Sequence, residues 1–155
     1  MQKKRICFIL PLVFIAFTVA FIWSNSLANG EQSTAQSGFF SDLFARIFDI
    51  TRTPFDFLYS HLRKLAHVLE FALLGAEVCL FVWLNFKPRL ITLALGVLAG
   101  IAVAATDEAI QLTVPGRVGA LTDVCIDTLG ILLGTLFVSG ICLIVTRCRK
   151  RKRTA

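Results

Sequence analysis

The sequence predicts an all-α polytopic membrane protein, with four transmembrane helices plus an amphipathic interfacial helix in one long outer loop. Three observations predict it. Of the 155 residues 56% are apolar and only 17% charged, a balance outside the range of soluble globular domains. Four apolar runs, at about 6–23, 65–84, 90–112 and 124–146, approach the ~20 residues that cross a ~30 Å hydrocarbon core. Finally, eleven of the sixteen Lys and Arg residues fall on one side of these runs: Lys3, Lys4 and Arg5, then Lys87 and Arg89, then Arg147, Arg149, Lys150, Arg151, Lys152 and Arg153. Such a bias makes that side cytoplasmic and puts both termini there. The whole chain, 1–155, reads as one membrane domain with an outer loop at 24–64 and a basic tail at 147–155. Because the tail abuts a span, it reads as a topology anchor meeting anionic lipid, and no nucleic-acid partner is expected.

The first run, Ile6 to Trp23, also resembles a signal peptide, with a basic start and Ser26-Leu27-Ala28 as a small-x-small site. Its eighteen residues exceed the usual ~7 to 15 of such a segment, so it is read as a retained span. In the outer loop Phe40, Leu43, Phe44, Ile47 and Phe48 recur at helical spacing, with Ser41, Asp42, Arg46 and Asp49 between them. A helix with that pattern lies flat in the interface or packs over the bundle top. Next, "TRTPFD" writes a helix start, with Thr53 as N-cap, Pro54 at the first helical position and Asp56 three residues after the cap. One helix is expected from about Pro54 through Leu84.

Polar residues inside the spans are placed with a pattern. Lys64, His67 and Glu70 open the second span at three-residue steps, which puts them on one 120° arc at about 100° per residue. Glu77 lies one heptad below Glu70 with no evident cationic partner. In the third span Gly96, Gly100, Ala104, Asp107 and Gln111 share a stripe of roughly 80°. Small residues permit close helix approach, so the stripe faces a neighbour and turns Asp107 and Gln111 inward, while Glu108 points toward the side or rim. In the fourth, Asp123, Asp127, Gly130 and Gly134 fall within about 60°.

Depth follows from length. The run from Leu90 to Ala105 rises only about 24 Å at 1.5 Å per residue, short of a ~30 Å core. Asp107 and Glu108 therefore meet the outer edge of the hydrocarbon. Ionisable groups there are costly unless paired or facing a wet cavity, and they point to function by default. Lys64 and Arg117 are the nearby cations and His67 the group titrating near neutrality. The five cysteines include no Cys-x-x-Cys pair and read as small buried hydrophobes.

"FIWSNS" closing a first span, "KLAHVLEF" opening a second, "TDEAIQLTVPGR" closing a third and "LTDVCIDTLGILLG" opening a fourth together resemble the VanZ-like family of bacterial membrane proteins, over roughly Phe21 to Gly140. The resemblance implies a bacterial cell-membrane protein of about four spans, with a namesake associated with low-level teicoplanin resistance. It carries over to Ser24, Lys64, His67, Glu70, Asp107, Glu108, Gln111, Pro115, Gly116, Arg117, Asp123 and Gly130. One position departs: Asp127 stands where the family pattern usually has Asn, adding a charge beside Asp123.

Two functions are compatible with these residues. In the first, the site acts on an outer-leaflet membrane lipid or lipid-linked cell-wall precursor. There Lys64 and Arg117 grip a phosphate or carboxylate, and Gln111, Asp127 and Ser24 complete the expected ligand-binding residues. His67, oriented by Glu70 or an Asp, serves as general acid or base, and Asp107, Glu108, Asp123 and Asp127 supply a second proton-transfer group or ligate a divalent cation through oxygen. In the second, the same cavity binds a lipid or a lipoglycopeptide without chemistry, aided by the Phe-rich helix at 39–50. Transport is disfavoured because four short spans leave little room for an alternating pathway.

Overall fold

The computed structural model describes residues 2–27, 55–86, 90–115 and 121–154, with side-chain surroundings for 5–27, 64–86, 90–115 and 121–152. Among the described residues there are four helices: α1 (Gln2–Leu27), α2 (Phe55–Asn85), α3 (Leu90–Leu112) and α4 (Leu121–Thr154). Each contains a segment long and apolar enough to cross a membrane, and among the described residues there is no strand. The expected interfacial helix at 39–50, the Thr53 cap with Pro54, and Arg117 lie outside the described residues.

α2 and α3 follow the expected boundaries closely, whereas α1 and α4 run further. α1 does not stop at Trp23 but carries Ser24, Asn25, Ser26 and Leu27 as helix. A span limit judged from hydropathy ends at the first polar residues, but nothing in Ser-Asn-Ser breaks a helix when neighbouring helices satisfy the side chains. α4 begins a turn earlier than expected, with Asp123 in its first turn where a carboxylate favours the helix dipole. It continues through the basic tail to Thr154, since Arg and Lys are good helix formers.

Side-chain pairs fix an up-down-up-down bundle. Asn85 at the end of α2 donates to the carbonyl of Cys7 at the start of α1 (3.1 Å), and Asn25 at the end of α1 donates to Glu70 (3.1 Å). α2 and α4 run parallel and share the most extensive interface, with Thr135 Oγ1 on the Gly75 carbonyl (3.4 Å) and Cys79 Sγ against Ser139 Oγ (3.2 Å). That interface is made of backbone as much as side chains. A Cβ on Gly134 would strike the Ala72 carbonyl, one on Gly75 the Ile131 carbonyl, and one on Gly130 would lie 2.6 Å from the Val68 carbonyl. The expected glycine face of α4 thus meets α2, letting the two backbones approach closely. On α3, Gly96 faces Val78 of α2 and Gly100 faces Ile131 of α4.

Burial is inverted relative to a soluble protein. Phe17, Leu136 and Phe137 are among many large apolar side chains left exposed, as lipid requires, while Ser26, Asp107, Gln111 and Asp127 are buried. The apolar core is small: Ile22, Phe71, Leu74, Ala104 and Ile131, drawn from all four helices. α1 also contains Pro11, whose missing N–H removes the bond to the carbonyl four residues earlier. That carbonyl is Cys7, and Asn85 Nδ2 fills the gap. An unsatisfied carbonyl would otherwise be costly in hydrocarbon.

Candidate functional site

At the end of the bundle opposite the start of α1, directly beyond the small apolar core, the polar residues converge. α2 contributes His67 and Glu70, α3 Asp107, Glu108 and Gln111, α4 Asp123 and Asp127, and α1 Asn25 and Ser26. Asp107 and Asp127 are 0% and 2% exposed, an unusual burial for carboxylates. Gln111 Nε2 donates to Asp107 Oδ2 (2.9 Å) and to Ser26 Oγ (3.3 Å), tying α3 to α1. His67 Nδ1 stands 3.8 Å from Asp127 Oδ1 across the α2–α4 interface, and the imidazole stacks on Phe71 with 6.5 Å between ring centroids and 16° between planes. One ligand atom each from His67, Asp107 and Asp127 falls within 4.8 Å of the other two.

The cluster is held by the packing beneath it. Val68, next to His67 on α2, presents its carbonyl to Gly130, which lies one turn below Asp127 on α4. The absence of a side chain at Gly130 therefore sets how near Asp127 comes to His67. Asp107 is placed by its stripe, one turn above buried Ala104 and one below buried Gln111. Asp127 feels the fields of Asp107, Asp123, Glu108 and Glu70, so five carboxylates and one imidazole share this end of the bundle.

The expected residues differ in how deeply they sit. Ser24 is exposed and its Oγ donates to the Phe21 carbonyl (2.8 Å), satisfied within its own helix. Lys64 is exposed, one turn outward of His67. Asp123 is partly exposed, one turn outward of Asp127, and accepts from Thr122 Oγ1 at 3.5 Å. Glu108, expected at the side or rim, is instead buried with 8% exposure. α4 as well as α2 covers α3, which widens the inward arc beyond the glycine stripe. Glu77 lies deeper, and Thr18 Oγ1 supplies its partner at 3.1 Å.

Motif spacing does not single out Asn25, whereas Ser26, like Ser24, is a serine that closes the first span beside the site. Among the residues of α1 with described side chains, Thr18, Ile22 and Ser26 are the buried ones and recur at four-residue intervals, along one face of the helix.

Fold and site together define a multi-pass membrane protein whose four described spanning helices hold a carboxylate–imidazole cluster at one end of the bundle. The family model described as VanZ/LLP1 matches residues 8–145, and the chain belongs to that family. No curated protein and no solved structure matches it.

Proposed function

We propose that the cluster is a membrane-embedded site on the extracytoplasmic face of a bacterial cell membrane, acting on the headgroup of an outer-leaflet lipid or lipid-linked cell-wall precursor. The observation that carries this reading is the burial of Asp107 and Asp127 against His67 near the end of the spans. Intramembrane ionisable groups are rare and mark functional pathways or sites. The side of the membrane follows from the Lys and Arg bias, which assigns the opposite end of the bundle to the cytoplasm. Lys64 and Arg117 supply the grip on a phosphate or carboxylate, and His67, Asp107 and Asp127 form the reactive face. A purely binding role, in which a lipid or lipoglycopeptide is held without reaction, draws support from the Phe-rich periodicity of residues 39–50.

The test is a growth-inhibition titration with teicoplanin and vancomycin in a susceptible Gram-positive host, with membrane levels checked. It compares the intact chain with His67→Ala, Asp107→Asn and Arg117→Ala. Selective tolerance to teicoplanin that all three variants lose supports the site. Tolerance that survives His67→Ala but fails with Arg117→Ala favours binding without chemistry. An intact chain that changes neither response removes the link to the drug, and equal responses from all variants remove the site.

A further inference from the structure

An acid-rich site is ill suited to an anionic headgroup. Five acidic side chains share this end of the bundle, and Lys64 stands outside the buried group. A cation among the acids would add to the grip that Lys64 and Arg117 give such a ligand. Two oxygens indicate where. Asp107 Oδ1 and Asp127 Oδ1 are buried and accept no hydrogen bond among the described residues, and both belong to side chains at least nine-tenths buried. Buried carboxylate oxygens are ordinarily paired, so each orphan calls for a specific explanation.

We propose that His67, Asp107 and Asp127 bind one divalent transition-metal ion of the zinc or manganese kind; the inference rests on the site proposed above and names its cofactor. Three helices supply one ligand each, an imidazole nitrogen and two carboxylate oxygens. The three atoms lie within 4.8 Å of one another. Bonds of about 2.0–2.2 Å to a common ion put ligand atoms about 3.0–3.5 Å apart. The widest separation must therefore close by only about 1.3 Å, which rotation of an Asp side chain supplies. Three protein ligands leave coordination positions open to a headgroup oxygen, the arrangement of a reactive rather than a purely structural site. An imidazole in the set favours a first-row metal over calcium or magnesium, which take oxygen ligands.

The surroundings fit the same reading. Gln111 Nε2 holds Asp107 Oδ2 at 2.9 Å, leaving Oδ1 as the free donor atom, as outer hydrogen bonds commonly orient metal-binding carboxylates. The acidic neighbours Glu70, Glu108 and Asp123 make the position strongly cation-attracting. Gly130 keeps α2 and α4 close enough for His67 and Asp127 to share an ion.

The experiment uses the full chain in phosphatidylcholine nanodiscs, stripped with chelator and dialysed against Zn²⁺, Mn²⁺, Ca²⁺ or Mg²⁺, with bound metal counted by mass spectrometry. One Zn²⁺ or Mn²⁺ per chain is expected. Gln111→Ala should weaken binding by about 10- to 100-fold, Asp107→Asn and Asp127→Asn by at least as much, and Glu77→Gln should leave it unchanged. Neither Asp variant should unfold the chain, since Asn keeps the shape of the side chain it replaces. A chain that takes up no stoichiometric ion, prefers Ca²⁺ or Mg²⁺, or keeps its ion with unchanged affinity in both Asp variants overturns the proposal. The two readings fail separately. Loss of the growth phenotype in Asp107→Asn without metal binding by the intact chain leaves the site and removes the ion. Stoichiometric metal with no phenotype at the site leaves the ion and removes the headgroup function.

Discussion

Replacing Gly130 with Ala tests whether backbone contact between α2 and α4 positions the cluster. The new Cβ would lie 2.6 Å from the Val68 carbonyl oxygen, and 3.2 Å from both Ala72 N and Phe71 Cβ. Ordinary contact begins at 3.4 Å, so the helices must part by about 0.8 Å. Moved directly apart, His67 Nδ1 and Asp127 Oδ1 go from 3.8 Å to about 4.6 Å, beyond ion-pair range. Overpacking of this kind costs about 1–3 kcal/mol, against which Ala gains about 1 kcal/mol over Gly in helix propensity. Gly140, on the same helix, has nothing within 4 Å of an added Cβ, so Gly140→Ala collects the propensity gain alone. The difference between the two variants cancels propensity and isolates packing: Gly130→Ala should be less stable than Gly140→Ala by about 1–3 kcal/mol. Equilibrium unfolding in mild detergent or bicelles reads this difference. A Gly130→Ala protein as stable as Gly140→Ala would refute the claim that glycine-mediated backbone contact sets the helix spacing.

Three further outcomes follow from individual contacts. Asn85→Ala should cost about 0.6 to 1.7 kcal/mol, the span measured for interhelical hydrogen bonds in membranes. The cost should shrink in a Pro11→Ala background, where a restored N–H satisfies the Cys7 carbonyl; equal costs in both backgrounds would show that Asn85 does not complement the proline. Thr18→Val should lose a similar amount by stripping Glu77 of its donor, whereas Glu77→Gln, which keeps a carbonyl acceptor for Thr18, should unfold within a few tenths of a kcal/mol of the intact chain. For orientation, a membrane-impermeant maleimide should modify Thr113→Cys, exposed at the end of α3, in intact cells. Cys148, exposed near the end of α4, should react only after permeabilisation, and the reverse pattern would invert the proposed topology.

Most of the fold was legible because the membrane imposes it. Backbone polar groups in hydrocarbon must pair within the segment, so an apolar run of sufficient length is nearly obliged to be a helix, and α3 was read to the residue. The ends of α1 and α4 were not, because hydropathy marks where lipid stops and not where hydrogen bonding stops. Ser24 to Leu27 and the run from Arg147 to Thr154 remain helical without being greasy. The site was legible wherever a glycine stripe indicated direction: Gly96–Gly100–Ala104 aimed Asp107 and Gln111, and Gly130–Gly134 aimed Asp127. It was illegible where direction depended on the partner. Glu108 is buried because α4 and α2 both flank α3, a matter of bundle geometry that one helix cannot reveal.

Among the three serines and asparagines closing α1, only the rotational phase of the whole helix separates Ser24, which returns to its own backbone, from Asn25 and Ser26, which bond across to Glu70 and Gln111. That phase is set by Thr18 and Ile22, and hence by the Thr18–Glu77 contact deeper in the bundle. The link between them makes Glu77, remote from the cluster, a register pin for α1. A substitution that loses the Thr18 bond, unlike Glu77→Gln, should therefore disturb Ser26 and Gln111 without touching either. Cysteine cross-linking between positions 26 and 111 would follow that shift: efficient with Glu77 present, reduced with Glu77→Leu, and unchanged only if α1 is held in register by its apolar contacts alone.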